Sequence, residues 1–145
     1  MRLEFTIDIH RPVADVFGVV GNLENDTKWQ KAVTQVTKLS EGPIAAGTRF
    51  RHLVRVMGRP TPLDVEFVHH VPNRHYLLSC ATGPLTFSTD VRFDRTARGT
   101  RLVTLVAGNP TGLVRLAAIT LSNHRRHEIE ADLHNLKQMM EAGLL

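Results

Sequence analysis

The chain is poor in cysteine, in aromatic residues and in long apolar runs, and each shortage excludes something. Cys80 is the only cysteine, so an internal disulfide is impossible and a Cys-rich metal site has no ligands. It sits in the apolar run Tyr76-Leu77-Leu78-Ser79-Cys80-Ala81 without a neighbouring base or cation, and reads as a buried thiol, not a thiolate nucleophile. No apolar run reaches the length of a membrane span, and the opening MRLEFTIDIH lacks the continuous core of a signal peptide, so a soluble cytoplasmic protein without membrane insertion is expected. Phosphate-binding glycine motifs, a GxSxG elbow and a Walker loop are missing, and no cofactor is expected. Aromatic residues make up 6% of the chain, and neither aromatic interleaving nor a recognition motif accompanies the net charge of +4. Nucleic acid is therefore not the expected partner. Arg49, Arg51, Arg55 and Arg59 form a basic strip along one strand, which ordinary solubilisation of a wet face explains.

What is present is a globular balance of 42% apolar and 22% charged residues over 145 positions, enough to bury a core. Short linkers and the lack of repeats make residues 1–145 a single expected domain. Leu3 to Ile9 alternate apolar and polar residues, the pattern of a strand with one buried face. Pro12 to Val20 place Val13, Val16, Phe17 and Val20 at helical spacing behind a proline, and Asp26 to Gln30 form a second short helical turn bearing Trp29. Strand character then returns in Thr34–Leu39, Thr48–Met57, Leu63–His69, Tyr76–Ala81, Phe87–Phe93 and Thr100–Ala107. Gly58-Arg59-Pro60, Pro72-Asn73-Arg74 and Arg98-Gly99 read as turns between them, so successive strands should pair antiparallel.

From about Pro110 the period changes to 3.6. Val114, Ala118, Leu121, Arg125, Ile129, Leu133, Leu136 and Met140 fall on one side of a long helix, with Asn109 as its expected cap, Pro110 at its first position and Gly143 at its stop. That stripe needs a partner, and the expected one is the sheet, curving around it.

The order of elements, the segment Ile9-His10-Arg11-Pro12-Val13-Ala14-Asp15-Val16-Phe17, the stretch Glu24-Asn25-Asp26-Thr27-Lys28-Trp29 and the ending Glu130-Ala131-Asp132-Leu133-His134-Asn135-Leu136-Lys137 resemble the START/Bet v 1-like superfamily. More narrowly, the chain is similar to bacterial SRPBCC proteins of the polyketide cyclase/dehydrase-like kind. The resemblance implies an α+β helix-grip fold: a curved seven-stranded antiparallel sheet wrapped around a long C-terminal helix, two short helices after strand one, and a hydrophobic cavity between sheet and helix. It implies binding of a hydrophobic or amphipathic small molecule, a polyketide, lipid or aromatic metabolite. A cyclase or dehydratase acting on such a ligand is the competing reading, and a macromolecular interaction protein using the basic surface is a third. A fold shared across such roles does not choose among them. One subunit and two are equally compatible with the sequence.

By strand parity the cavity face collects Phe50, His52, Val54, Phe67, Phe87, Thr89, Leu102 and Thr104, joined from the helix by Ala118, Leu121, Ser122 and Arg125. If Phe67 lines this space, Phe67→Trp should fill it. His52 and Arg125 are the candidate catalytic residues. Imidazole titrates near neutrality, while an inward arginine must snorkel out, pair with a carboxylate such as Glu66 or Asp132, or meet an anionic ligand group. Adjacent His69 and His70 face opposite ways on a strand and cannot chelate together, and His124, His127, Glu130 and His134 read as a solvated helix face, so no metal is expected.

Overall fold

The computed structural model describes residues 1–81, 85–110 and 118–145, with the side chains of 85, 109, 110 and 118–122 left out. Seven strands form one antiparallel sheet: β1 (Arg2–Ile9), β2 (Val33–Lys38), β3 (Arg49–Val56), β4 (Arg59–Val71), β5 (His75–Cys80), β6 (Leu85–Thr96) and β7 (Gly99–Pro110), in the spatial order β1-β7-β6-β5-β4-β3-β2. Between β1 and β2 lie α1 (Val13–Val20), a single 3₁₀ turn (Leu23–Asn25) and α2 (Asp26–Trp29), and the chain closes with α3 (Ala118–Glu141). Order, count and pairing agree with the sequence reading.

Local chemistry accounts for these elements. In β1 the residues Leu3, Phe5 and Ile9 are buried and Arg2, Glu4 and Asp8 exposed, as an alternating strand demands. Pro12, at φ −57°, opens α1, and the Gly21 amide bonds the Phe17 carbonyl to end it. Asn22 caps the 3₁₀ turn by accepting from the Glu24 amide at 3.3 Å, which fixes the entry into α2. That short turn sends both Asp26 and Trp29 into the interior.

The start of the last helix differs from expectation. Asn109 and Pro110 do not cap it; they end β7, opposite Thr86 and Leu85. The β6–β7 ladder runs on past the length that alternation suggested and takes both residues. Val114 lies outside the described residues, as do the side chains of Ala118, Leu121 and Ser122. The 24 residues of α3 extend about 36 Å at 1.5 Å each, so the helix still crosses the domain. It stops as foreseen: Gly143 has φ +72°, its amide bonds the Met140 carbonyl at 3.1 Å, and the Leu144 amide bonds the Met139 carbonyl at 2.9 Å, the paired closure that a left-handed glycine permits.

Leu133, Leu136 and Met140 are the buried edge of α3, packed into a core with Leu3, Phe5, Ile9, Phe50 and Phe67. Polar ties hold the helix at both flanks. The Arg11 guanidinium donates to the Met140 carbonyl at 2.6 Å, the Lys31 amide donates to Asp132 at 3.1 Å, and Asn135 donates to the Trp29 carbonyl at 3.2 Å. The last two tie α3 to the end of α2 and to Lys31 just beyond it, which positions the site below.

Two turns refine the sequence reading. The β3–β4 hairpin turns on Met57 and Gly58, at φ 50° and 78°, instead of Gly58-Arg59-Pro60; Arg59 already pairs with Val56, and Pro60 with Arg55, inside the ladder. At Gly99 a side chain has no room, since a Cβ there would lie 2.4 Å from the Ile9 carbonyl oxygen and 2.7 Å from the Arg11 nitrogen. Both neighbours are backbone. Gly99→Ala should therefore cost about 1–3 kcal/mol through forced displacement of the β1 end, measurable by urea unfolding; an unchanged midpoint would show that β7 can shift freely against Arg11.

Candidate functional site

A cavity of about 140 Å³ lies between the inner face of the sheet, α2 and α3. Its walls are mainly apolar, including Val20, Leu23, Val54, Leu78, Phe87, Val91 and Leu102. Of the residues assigned to it by parity, His52, Val54, Phe87, Thr89, Leu102, Thr104 and Arg125 stand on its wall.

Phe50 and Phe67 do not. Both are fully buried and meet edge to face at 6.2 Å between centroids, with Phe67 also against His70 at 5.2 Å and Tyr76 at 5.4 Å. They share the inward face with the wall residues, but they occupy the packed part of it. Phe67→Trp would therefore overpack the core and would not plug the cavity.

The chemistry concentrates on one side. His52 Nε2 lies 2.9 Å from Asp26 Oδ2, and both side chains are buried. β3 presents His52 inward between Phe50 and Val54, while α2 brings Asp26 to it. Burial raises the Asp26 carboxyl above its ordinary value, and the hydrogen bond and charge of His52 pull against that rise. Trp29, one helical turn beyond Asp26, and Tyr76 of β5 also line the space. Burial, with the negative charge of Asp26 added, pushes the Tyr76 hydroxyl far up, so it stays protonated. Among the described residues, three buried polar atoms have no hydrogen-bond partner: Asp26 Oδ1, Trp29 Nε1 and His52 Nδ1. All three belong to cavity-lining residues.

Arg125 resolves differently from the pairs expected for it. Its Nη1 lies 3.0 Å from Glu128 Oε2, one turn on, and its side chain is 40% exposed, so it snorkels and pairs along its own helix. Glu66 lies opposite Arg49 in the β3–β4 ladder and is exposed, out of reach, while Asp132 accepts the Lys31 amide. Burial raises the Asp132 carboxyl, opposed first by that amide and then by the charge of Arg125. Arg125 and Asp132 both reach the cavity wall.

The remaining sequence candidates lie elsewhere. Cys80 is buried. His124, His127, Glu130 and His134 are exposed, and among the described residues no three His, Cys, Asp or Glu side chains gather as a metal set. His69 is exposed, whereas His70 turns inward against the Phe17 and Phe67 rings, and burial lowers its pKa. In the basic strip, Arg51 is paired with Asp64 at 2.8 Å. No described helix is long and apolar enough to cross a membrane.

The profile of the family described as polyketide cyclase / dehydrase and lipid transport matches residues 1–141. The chain belongs to this family. Solved structures agree on its fold. The Zhui aromatase/cyclase of a Streptomyces species superposes with a TM-score of 0.83 at 18% identity, covering 100% of this chain and 96% of its own. A START superfamily protein from Mycobacterium smegmatis gives 0.80 at 10% identity, covering 96% and 98%. A Thermus thermophilus protein gives 0.80 at 19%, covering 99% and 97%. No curated protein matches the sequence. The helix-grip fold is shared with these structures, and the family match shows polyketide cyclase/dehydrase membership.

Sequence reasoning missed Asp26, Trp29 and Tyr76. Asp26 and Trp29 stood inside a stretch read as a short helical turn and for its family resemblance, without a site role, and Tyr76 inside an apolar strand. Hydrophobic alternation carries no signal for a carboxylate on a four-residue helix that meets a histidine 26 positions later.

Proposed function

We propose that the protein, as a single domain acting in the cytoplasm, binds an apolar or amphipathic small molecule between its sheet and C-terminal helix. The carrying observation is the set of three polar atoms on Asp26, Trp29 and His52, unpartnered among the described residues, within a mainly apolar wall. Buried polar groups left unpaired are costly, and a plain core position would have been filled by apolar side chains. A site that completes those hydrogen bonds with a ligand recovers the cost. Native mass spectrometry of the purified protein, followed by denaturing extraction, should find one equivalent of such a molecule. Thr104→Trp, which fills the wall from β7, should be empty while retaining its circular dichroism spectrum. Equal occupancy of the two proteins would place the ligand elsewhere, and failure of the parent protein to take up any small aromatic compound would overturn the reading.

A second reading, cyclase or dehydratase chemistry, is favoured by the Asp26–His52 pair. A carboxylate on Nε2 orients the ring and leaves Nδ1 to take a proton from a ligand and return it. The family description and the likeness to an aromatase/cyclase fold are compatible with that use.

A further inference from the structure

We infer that the buried end of the cavity holds a single oxygen-bearing ring of about phenol size, its oxygen accepting from Trp29 Nε1–H and donating to the Asp26–His52 pair, in place of a long acyl or polyketide chain. This narrows the binding reading above and rests on it. Size is the first argument. The space is about 140 Å³, close to the roughly 150 Å³ apolar cavity that accepts benzene and below the ~300–1,000 Å³ of sites for drug-sized molecules. The chemical character of the wall is the second. Trp29, His52 and Asp26 are only 8%, 7% and 4% exposed, and each holds a polar atom without a partner among the described residues.

These three atoms ask for different things. An indole N–H only donates, so it requires an acceptor; a carboxylate oxygen only accepts, and an imidazole nitrogen without a proton does the same. A hydrocarbon ring satisfies none of them. A hydroxyl meets one of each kind, its oxygen accepting from the indole N–H while its single proton goes to either Asp26 Oδ1 or His52 Nδ1. The flat apolar remainder of such a ring fits against Leu78, Phe87, Val91 and Leu102.

The test uses three probes on the full chain: p-cresol, p-xylene, which differs from it by a methyl in place of the hydroxyl, and decanoate. Because Trp29 is the only tryptophan, one indole N–H proton resonance reports on the site without assignment. The expected result is that p-cresol binds at least tenfold more tightly than p-xylene in calorimetric titration, moves the indole proton downfield where p-xylene does not, and outcompetes decanoate. Trp29→Phe should shrink the preference for p-cresol; if that variant does not fold, the indole shift in the parent protein decides. Equal affinity for p-cresol and p-xylene would overturn the polar anchor while leaving a working cavity, and tighter binding of decanoate would overturn the compact ring. Failure of all three to bind would remove this inference together with the binding reading it rests on.

Discussion

His52→Ala is expected to lose about 3 kcal/mol of folding stability near neutral pH, the upper scale for leaving one buried polar partner unsatisfied. The alanine leaves Asp26 buried, with neither carboxylate oxygen partnered by a side chain among the described residues. The loss should depend on pH in a particular sense. Burial already raises the folded-state pKa of Asp26 above its ordinary 3.8, and His52 is what holds that rise down. A carboxyl raised on folding binds more protons in the native state. Its stabilising share is therefore fully present below 3.8 and is lost as pH climbs through the raised folded value. Without His52 that value moves higher still, and the charged form is penalised over a wider range. Urea unfolding should show a larger deficit at pH 8 than on the acid side, where the raised pKa of Asp26 lets protonation relieve its buried charge. A deficit equal at both pH values would mean that the imidazole matters for volume alone. Replacing both residues by leucine should recover most of the loss, because apolar groups of similar size can substitute for a buried pair at little cost.

Phe67→Ala carries the second large effect, about 3–5 kcal/mol. Phe67 is fully buried and in edge contact with Phe50, His70 and Tyr76, so the deletion opens a void that three rings must collapse to fill. Ligand affinity should hold nearly constant, since Phe67 stands off the cavity wall. Unfolding and p-cresol titration on the same preparation separate the two quantities. A loss of affinity as deep as the loss of stability would show that Phe67 shapes the cavity through Tyr76.

The contrast between these two positions shows how far the sequence could be read. Strand parity places His52 and Phe67 on the same inward face, and both are buried as it requires. Parity does not divide that face into packed core and open cavity, because the division depends on how the curved sheet and α3 diverge along their length. The order of the strands, the two short helices and the long last helix were legible, since period 2 and period 3.6 differ sharply in the residues of β1 and α3. The start of the helix was not. Asn109 and Pro110 carry good capping chemistry, yet pairing with Thr86 and Leu85 in the ladder outweighs it.

The site shows the same boundary between local and long-range information. His52 could be named because its own strand turns it inward. Asp26 could not, because α2 has only four residues and no periodicity to orient them. Its direction is set by the Asn22 cap before it and by the ties of the Trp29 carbonyl and the Lys31 amide to Asn135 and Asp132 of α3 after it. Arg125 resolves through a local i to i+3 pair with Glu128, a spacing open to sequence analysis once the helix register is accepted.

The most direct test of this account is a high-resolution crystal structure of the protein grown with saturating p-cresol. The expected result is one ring inside the cavity bounded by α2, α3 and the sheet, its oxygen within hydrogen-bonding distance of Trp29 Nε1 and of the Asp26–His52 pair. A cavity filled by ordered water that completes those same hydrogen bonds, with p-cresol absent or bound on the outer surface, would contradict it.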